Sequence, residues 1–221
     1  MVAVSESELF AMNPAARPQM APIAPGVPAI IIDNFYQNPE AIREAALDQS
    51  FSPATAMYPG RLATFTGQPS LLRAVDWVKN FVNQQLLPRI PLTRDGQRVT
   101  RFETLQTDFG IVDTLPQDLA PAQRAPHVDP APIFGIVYLN EEDRGGTAFF
   151  RKTDAERQPQ REGYFADTDA GFEKVGRIDG VFNRLAIYPG FIWHTAEVGD
   201  WITSDARIRS PRLTQRLVFV D

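Results

Sequence analysis

From about residue 98 onward, apolar residues recur at every second position, in short runs punctuated by Gly, Pro and Asn. No other feature of the chain constrains its fold as much. "RVTRFETLQTDFGIV" (98–112), "IFGIVYL" (133–139), "GGTAFFRK" (145–152) and "RLTQRLVFVD" (212–221) each read as a strand. "NRLAIYPGFIWHTAEV" (183–198) reads as two strands broken at Pro189–Gly190. Strands this short, spaced by turns, close into a sandwich or barrel rather than an open parallel sheet.

Ahead of that region the period is helical. The run Ala29–Ile32 is a short strand closed by Asp33 and Asn34. Asn38 then stands as a helix N-cap with Pro39 at the first helical position and Glu40 at the positive end of the dipole. This helix runs to about Leu47 and presents Ile42, Ala45 and Ala46 on one face. A second helix starts at Pro69–Ser70, carries Leu72, Val75, Val78, Phe81 and Val82 at spacings of three and four, and stops before Pro88 and Pro91. "MYPGRLATFTG" (57–67) is a turn-rich connector. The Pro- and Ala-rich residues 1–28 read as an irregular arm, because proline removes backbone donors. Residues 152–180 read as a long polar loop. The expectation is a mainly β (α+β) fold with the arm at 1–28 and one domain at 29–221. Within that domain a helical entry spans 29–95 and a β core spans 96–221.

Composition removes several function classes. There is no cysteine, which excludes disulfides, thiolate zinc sites, iron–sulfur clusters and cysteine nucleophiles, and fits a cytoplasmic location. A net charge of −5 argues against a nucleic-acid partner. No apolar run approaches the roughly 18 residues of a membrane span. The N-terminus lacks the basic start and apolar block of a secretory signal.

The two histidines of the chain, His127 in "RAPHVDPAP" and His194 in "GFIWHTAEV", carry the chemistry. Side chains at i and i+2 of an extended segment leave the same face, so His127 and Asp129 can aim a nitrogen and an oxygen at one point. If the apolar strand bearing His194 lies alongside, two histidines and one carboxylate bind metal from one side and leave the other side open. That facial set suits non-haem Fe(II).

The text "PHVD", then "IVYLNEEDRGGTAFF", "YPGFIWHTAEV" and "RLTQRLVFV", resembles the 2-oxoglutarate/Fe(II)-dependent oxygenases, in the branch that includes prolyl hydroxylases. The resemblance covers about residues 100–220. The front end, "IIDNFYQNPEAIREAAL", resembles an uncharacterised bacterial family of oxygenase-like proteins. The resemblance implies a double-stranded β-helix, or jelly roll, with N-terminal helices packed on it. It also implies that His127, Asp129 and His194 bind Fe(II) as metal and catalytic ligands, and that 2-oxoglutarate is the co-substrate. The distal carboxylate of 2-oxoglutarate then needs a cation. Arg212 with the Thr214 hydroxyl fits the family's Arg-x-Ser/Thr pattern, and Arg216 is the other candidate. Parity favours an inward role, since Arg212, Thr214 and Arg216 share one strand face while Leu213, Leu217 and Phe219 share the other. One departure from the family is a longer interval between His194 and Arg212, which puts an insertion around "GDWITSDARIRSP". Tyr138 is a candidate donor to 2-oxoglutarate. Trp193 is expected to pack in the core.

The reaction implied is hydroxylation of a small molecule or of an amino-acid or peptide substrate, with the carboxylate of Asp129 arguing against halogenation. Two other readings stand beside it. One is a His2Asp zinc hydrolase. The other is a jelly-roll binding module with a retained or idle metal site.

Overall fold

The computed structural model describes residues 4–54, 58–65, 68–90, 92–94, 97–141, 144–159, 171–199 and 211–220. In chain order these form β1 (Pro18–Ala24), β2 (Val27–Ile32), α1 (Pro39–Leu47), β3 (Ser52–Pro53), β4 (Arg61–Ala63) and α2 (Pro69–Phe81), which runs on into a π-helical turn at Val82–Leu86. There follow β5 (Thr93–Arg94), β6 (Gln97–Arg98), β7 (Thr104–Val112), a 3-10 turn at Pro116–Asp118, α3 (Pro121–Arg124), β8 (Ile133–Tyr138) and β9 (Gly146–Lys152). The last strands are β10 (Phe172–Asp179), β11 (Leu185–Pro189), β12 (Trp193–Ala196) and β13 (Arg212–Val220).

The alternation seen in the sequence sorts side chains to two different cores. Along β8, Ile133 and Val137 point to one side and Phe134, Ile136 and Tyr138 to the other, and all are buried. β11 divides in the same way, with Leu185 and Ile187 opposite Ala186 and Tyr188. A strand apolar on both faces must be covered on both. The helices cover one face, where Ile42, Ala46, Leu71, Val75 and Val78 join the outer core. A second sheet covers the other through Phe149 and Ile178.

The large sheet has eight strands in the order β1-β2-β11-β8-β13-β7-β4-β3, and the small one runs β10-β9-β12. The pairings between these strands are antiparallel. This is the two-sheet, jelly-roll layout of a double-stranded β-helix. Among the described residues no helix is long and apolar enough to cross a membrane.

The structure corrects several sequence expectations. Residues 18–24, expected to be part of an irregular arm, form β1 on the edge of the large sheet, paired from Pro18↔Ile32 to Ala24↔Val27. Prolines are tolerated there because an edge strand leaves half its donors unused. Leu9 and Phe10, also in the expected arm, are buried in the outer core. Residues 172–179, expected to be loop, form β10; its polar composition reflects an edge strand with a solvated face. The connector holds β4, paired with β7. Val75, Val78 and Val82 are buried as expected, but Leu72 is 58% exposed and Leu71 and Ala74 take part in the buried stripe instead. Asn38 occupies the N-cap position of α1, but its amide donates to the Glu8 carbonyl instead of capping the helix. The rest of the expected 152–180 loop (160–170) and most of the expected insertion (200–210) lie outside the described residues.

Candidate metal centre

Main-chain bonds bring the two histidines together before their rings are considered. His127 N–H donates to the His194 carbonyl at 2.9 Å and His194 N–H donates to the His127 carbonyl at 2.8 Å. The segment ahead of β8 is therefore an isolated antiparallel bridge to β12. Two residues on, Asp129 N–H donates to the Gly190 carbonyl at 2.9 Å, and Gly190 N–H donates to the Pro132 carbonyl at 3.0 Å. Gly190 is required at this crossing, because a Cβ there would lie 2.0 Å from the Ala131 oxygen. The Pro189–Gly190 break in the sequence is thus the seat of the Asp129 segment.

On β12, His194 points into the space between the sheets, packed against the rings of Phe149 and Tyr188 at centroid distances of 6.3 and 5.2 Å. Trp193 points the other way. It is half-buried on the outside of the small sheet against Phe172, rather than in the core as expected. His127, Asp129 and His194 offer ligand atoms that all lie within 4.8 Å of one another. His194 Nε2 is 3.1 Å from Asp129 Oδ2. On the far side of the ring, His194 Nδ1 is 2.8 Å from the Ile192 carbonyl. That contact assigns the proton to Nδ1 and leaves Nε2 for a metal.

The electrostatics favour the neutral imidazole of His127 and the carboxylate of Asp129, while His194 holds its proton more tightly than usual. Burial, and then the neighbouring His194, push His127 down to about 4. Burial also opposes charge on His194, but the hydrogen bond and charge of Asp129 outweigh it and leave His194 above its usual value. Burial pushes Asp129 up, yet its bond to His194 and the surrounding positive charges prevail and hold it below the usual carboxylate value.

Facing the triad across the cavity are Arg212, Thr214 and Arg216, all on the inward face of β13 as their parity required. The two arginines differ in one respect. Arg216 donates two hydrogen bonds to Asp108, at 2.6 and 2.7 Å. Arg212 is 3% exposed and has no carboxylate partner among the described residues. One of its terminal nitrogens donates to the Gly146 carbonyl at 3.2 Å, and its Nε is buried with no hydrogen-bond partner. Thr214 Oγ1 makes only a long contact of 3.5 Å with the Gly110 carbonyl. Tyr138 stands one layer back, its hydroxyl 2.7 Å from Thr147 Oγ1 and its ring 5.8 Å from the Arg212 guanidinium. Thr147, Tyr188 and Tyr58 line the cavity where Tyr138 does not. Sequence reasoning passed over all three. The usable signal for Tyr58 was Gly110 in the middle of a strand, which marks a close approach from elsewhere.

The sequence profile of a family of unknown function, DUF6445, matches residues 14–158 and 152–219. No curated protein matches the chain. Among solved structures, the epimerase SnoN in complex with Fe3+, alpha ketoglutarate and nogalamycin RO aligns over 87% of this chain and 78% of its own, at 14% identity and a TM-score of 0.51. A putative oxygenase from Shewanella oneidensis aligns over 97% of this chain and 84% of its own, at 8% identity and a TM-score of 0.49. A Pseudomonas putida prolyl-4-hydroxylase aligns over 82% of this chain and 83% of its own, at 15% identity and a TM-score of 0.42. The chain shares its fold with SnoN, a protein solved with Fe3+ and alpha ketoglutarate bound.

Proposed function

We propose that this chain, which belongs to the DUF6445 family, is a non-haem Fe(II), 2-oxoglutarate-dependent oxygenase that hydroxylates a small molecule or an amino-acid or peptide substrate. The observation that carries this reading is Arg212. A buried guanidinium without a counter-ion costs several kcal/mol, roughly, and is retained where a ligand supplies the missing charge. It shares its cavity with the triad, so one bidentate anion reaching from Arg212 toward the histidines accounts for both.

The donor set fits the metal. Two imidazoles and a carboxylate on one side are the ligands Fe(II) takes in oxygenases. His127, Asp129 and His194 would hold the ion, and Arg212 with Thr214 would hold the distal carboxylate of 2-oxoglutarate. Bound there, Fe(II), 2-oxoglutarate and dioxygen supply oxidation of a C–H bond to an alcohol, coupled to conversion of 2-oxoglutarate to succinate and carbon dioxide. The protein's part is orientation. Ile192 fixes the His194 ring, Gly190 seats Asp129, and Phe134, Ile136 and Tyr188 keep the cavity wall apolar. A zinc hydrolase would use the same triad but gives Arg212 no task.

Anaerobic titration with Fe(II) and then 2-oxoglutarate tests this reading. A visible charge-transfer band is expected that needs both components, followed by succinate on admission of air. If metal-loaded protein takes up no 2-oxoglutarate, the oxygenase reading fails and the idle-site binding module takes its place.

Loading is also expected to depend on pH. In the unloaded centre the proton held between Asp129 and His194 must leave before metal binds Nε2. Because His194 lies above its usual 6.5, the competition begins above that pH. Fe(II) affinity is expected to be flat at higher pH and to fall about tenfold per unit as pH drops below the His194 value. His127, at about 4, adds a second proton only under much more acidic conditions. Titrations in a pH series measure the slope.

A further inference from the structure

Tyr58 enters the cavity from the connector ahead of β4, and its hydroxyl oxygen is shielded from solvent with no hydrogen-bond partner among the described residues. It leans toward Thr214 but does not meet it with hydrogen-bonding geometry. Leaving a buried hydroxyl unpaired is costly, and such groups call for an explanation.

The chain goes to some length to put the hydroxyl there. Gly110, in the middle of β7, provides the floor: a Cβ at that position would lie 2.2 Å from the phenol oxygen. Gly60 lets the Tyr58–Pro59–Gly60 turn press onto the same strand, since a Cβ there would lie 1.9 Å from the Ile111 carbonyl. The Gln123 amide holds the Tyr58 carbonyl at 3.0 Å. The Arg216 guanidinium, itself clamped by Asp108, covers the ring at 5.1 Å from its centroid. Both the main chain and the ring of Tyr58 are therefore fixed.

The surroundings of the hydroxyl are rich in donors, and the carboxylate that acts on it, Asp108, is already bonded to Arg216. The unpartnered Arg212 Nε–H and the weakly engaged Thr214 hydroxyl line the same cavity. Donors converging where the nearest carboxylate, Asp108, is already taken call for a ligand that only accepts, and a buried guanidinium among them favours an anion such as a carboxylate. Burial pushes the Tyr58 phenol up, against the pull of Arg216 and Arg212, so it keeps its proton at neutral pH and can donate.

We infer that Tyr58 is a binding residue of this cavity, its O–H donating to a carboxylate oxygen of the dicarboxylate that Arg212 anchors. The inference rests on the oxygenase reading. It adds that the co-substrate is gripped from the connector as well as from the sheet.

Anaerobic titration of Fe(II)-loaded Tyr58→Phe with 2-oxoglutarate tests it. A hydrogen bond to a charged group corresponds to roughly tenfold or more in affinity. We expect a loss of about that size, with Fe(II) affinity unchanged and a melting temperature equal to or above that of the parent. Gly110→Ala, which drives the phenol out, should lose a similar factor. In the double variant Gly110→Ala should add nothing, because Phe has no oxygen to displace. Parent-like 2-oxoglutarate affinity in Tyr58→Phe overturns the inference while leaving the oxygenase reading intact. So does a fall in its melting temperature, which would mean that the hydroxyl makes a structural bond. If the parent protein itself binds Fe(II) but not 2-oxoglutarate, the oxygenase reading has failed and takes this inference with it.

Discussion

Arg212→Met is expected to lose about 2–5 kcal/mol of 2-oxoglutarate affinity, on the order of 30-fold to more than 1,000-fold, with Fe(II) affinity unchanged. The reason is that Arg212 has no compensating carboxylate among the described residues: it is buried, lies beside the Tyr138 ring, and donates to one backbone carbonyl. Replacing it by an apolar side chain of similar length would remove the proposed anchor of the dicarboxylate and also an unfavourable buried charge. Thermal stability without ligand should therefore hold or rise even as binding is lost. Arg216→Met should do the reverse. It strips Asp108 of both hydrogen bonds and lowers stability. Titration calorimetry under anaerobic conditions, alongside thermal denaturation of both variants, separates the two arginines. Loss of 2-oxoglutarate binding in Arg216→Met alone would reverse their assignment.

His127→Ala is the second large effect. Outer-shell partners of a metal ligand are worth 10- to 100-fold in affinity, so removal of a ligand itself is expected to weaken Fe(II) binding by at least about 100-fold and to abolish the charge-transfer band. The fold should survive, because the bonds joining residues 127 and 194 run through main-chain atoms that alanine retains. The expected result is a protein with parent-like circular dichroism and no metal-dependent signal. Retained tight Fe(II) binding would mean that His127 is not a ligand.

The legible parts of this molecule are those whose pattern is set by local geometry. The alternation of β13 shows in advance that Arg212, Thr214 and Arg216 lie together, since period two follows from the extended backbone alone. The His-x-Asp spacing works for the same reason, and Pro189–Gly190 marks the break on which Asp129 is seated. The parts that were not legible depend on distant partners. β1 and β10 are edge strands, so their prolines and charges look like loop until the neighbour that pairs them is known. Leu72 is as apolar as Leu71, and only the position of the sheet decides which of the two is buried. Tyr58 sits in a turn-rich stretch, and its relation to Gly110 spans the distance between two elements that no local window contains. The difference between Arg212 and Arg216 depends on Asp108, whose place opposite Arg216 is fixed by β-strand register.

The reciprocal backbone pair between residues 127 and 194 has a consequence for how such a centre changes over time. Its hydrogen bonds are blind to the side chains they carry, so the frame that spaces the three positions persists for any residue there that keeps its backbone N–H. New chemistry, or its loss, can be written at those positions by point substitution without first rebuilding the architecture.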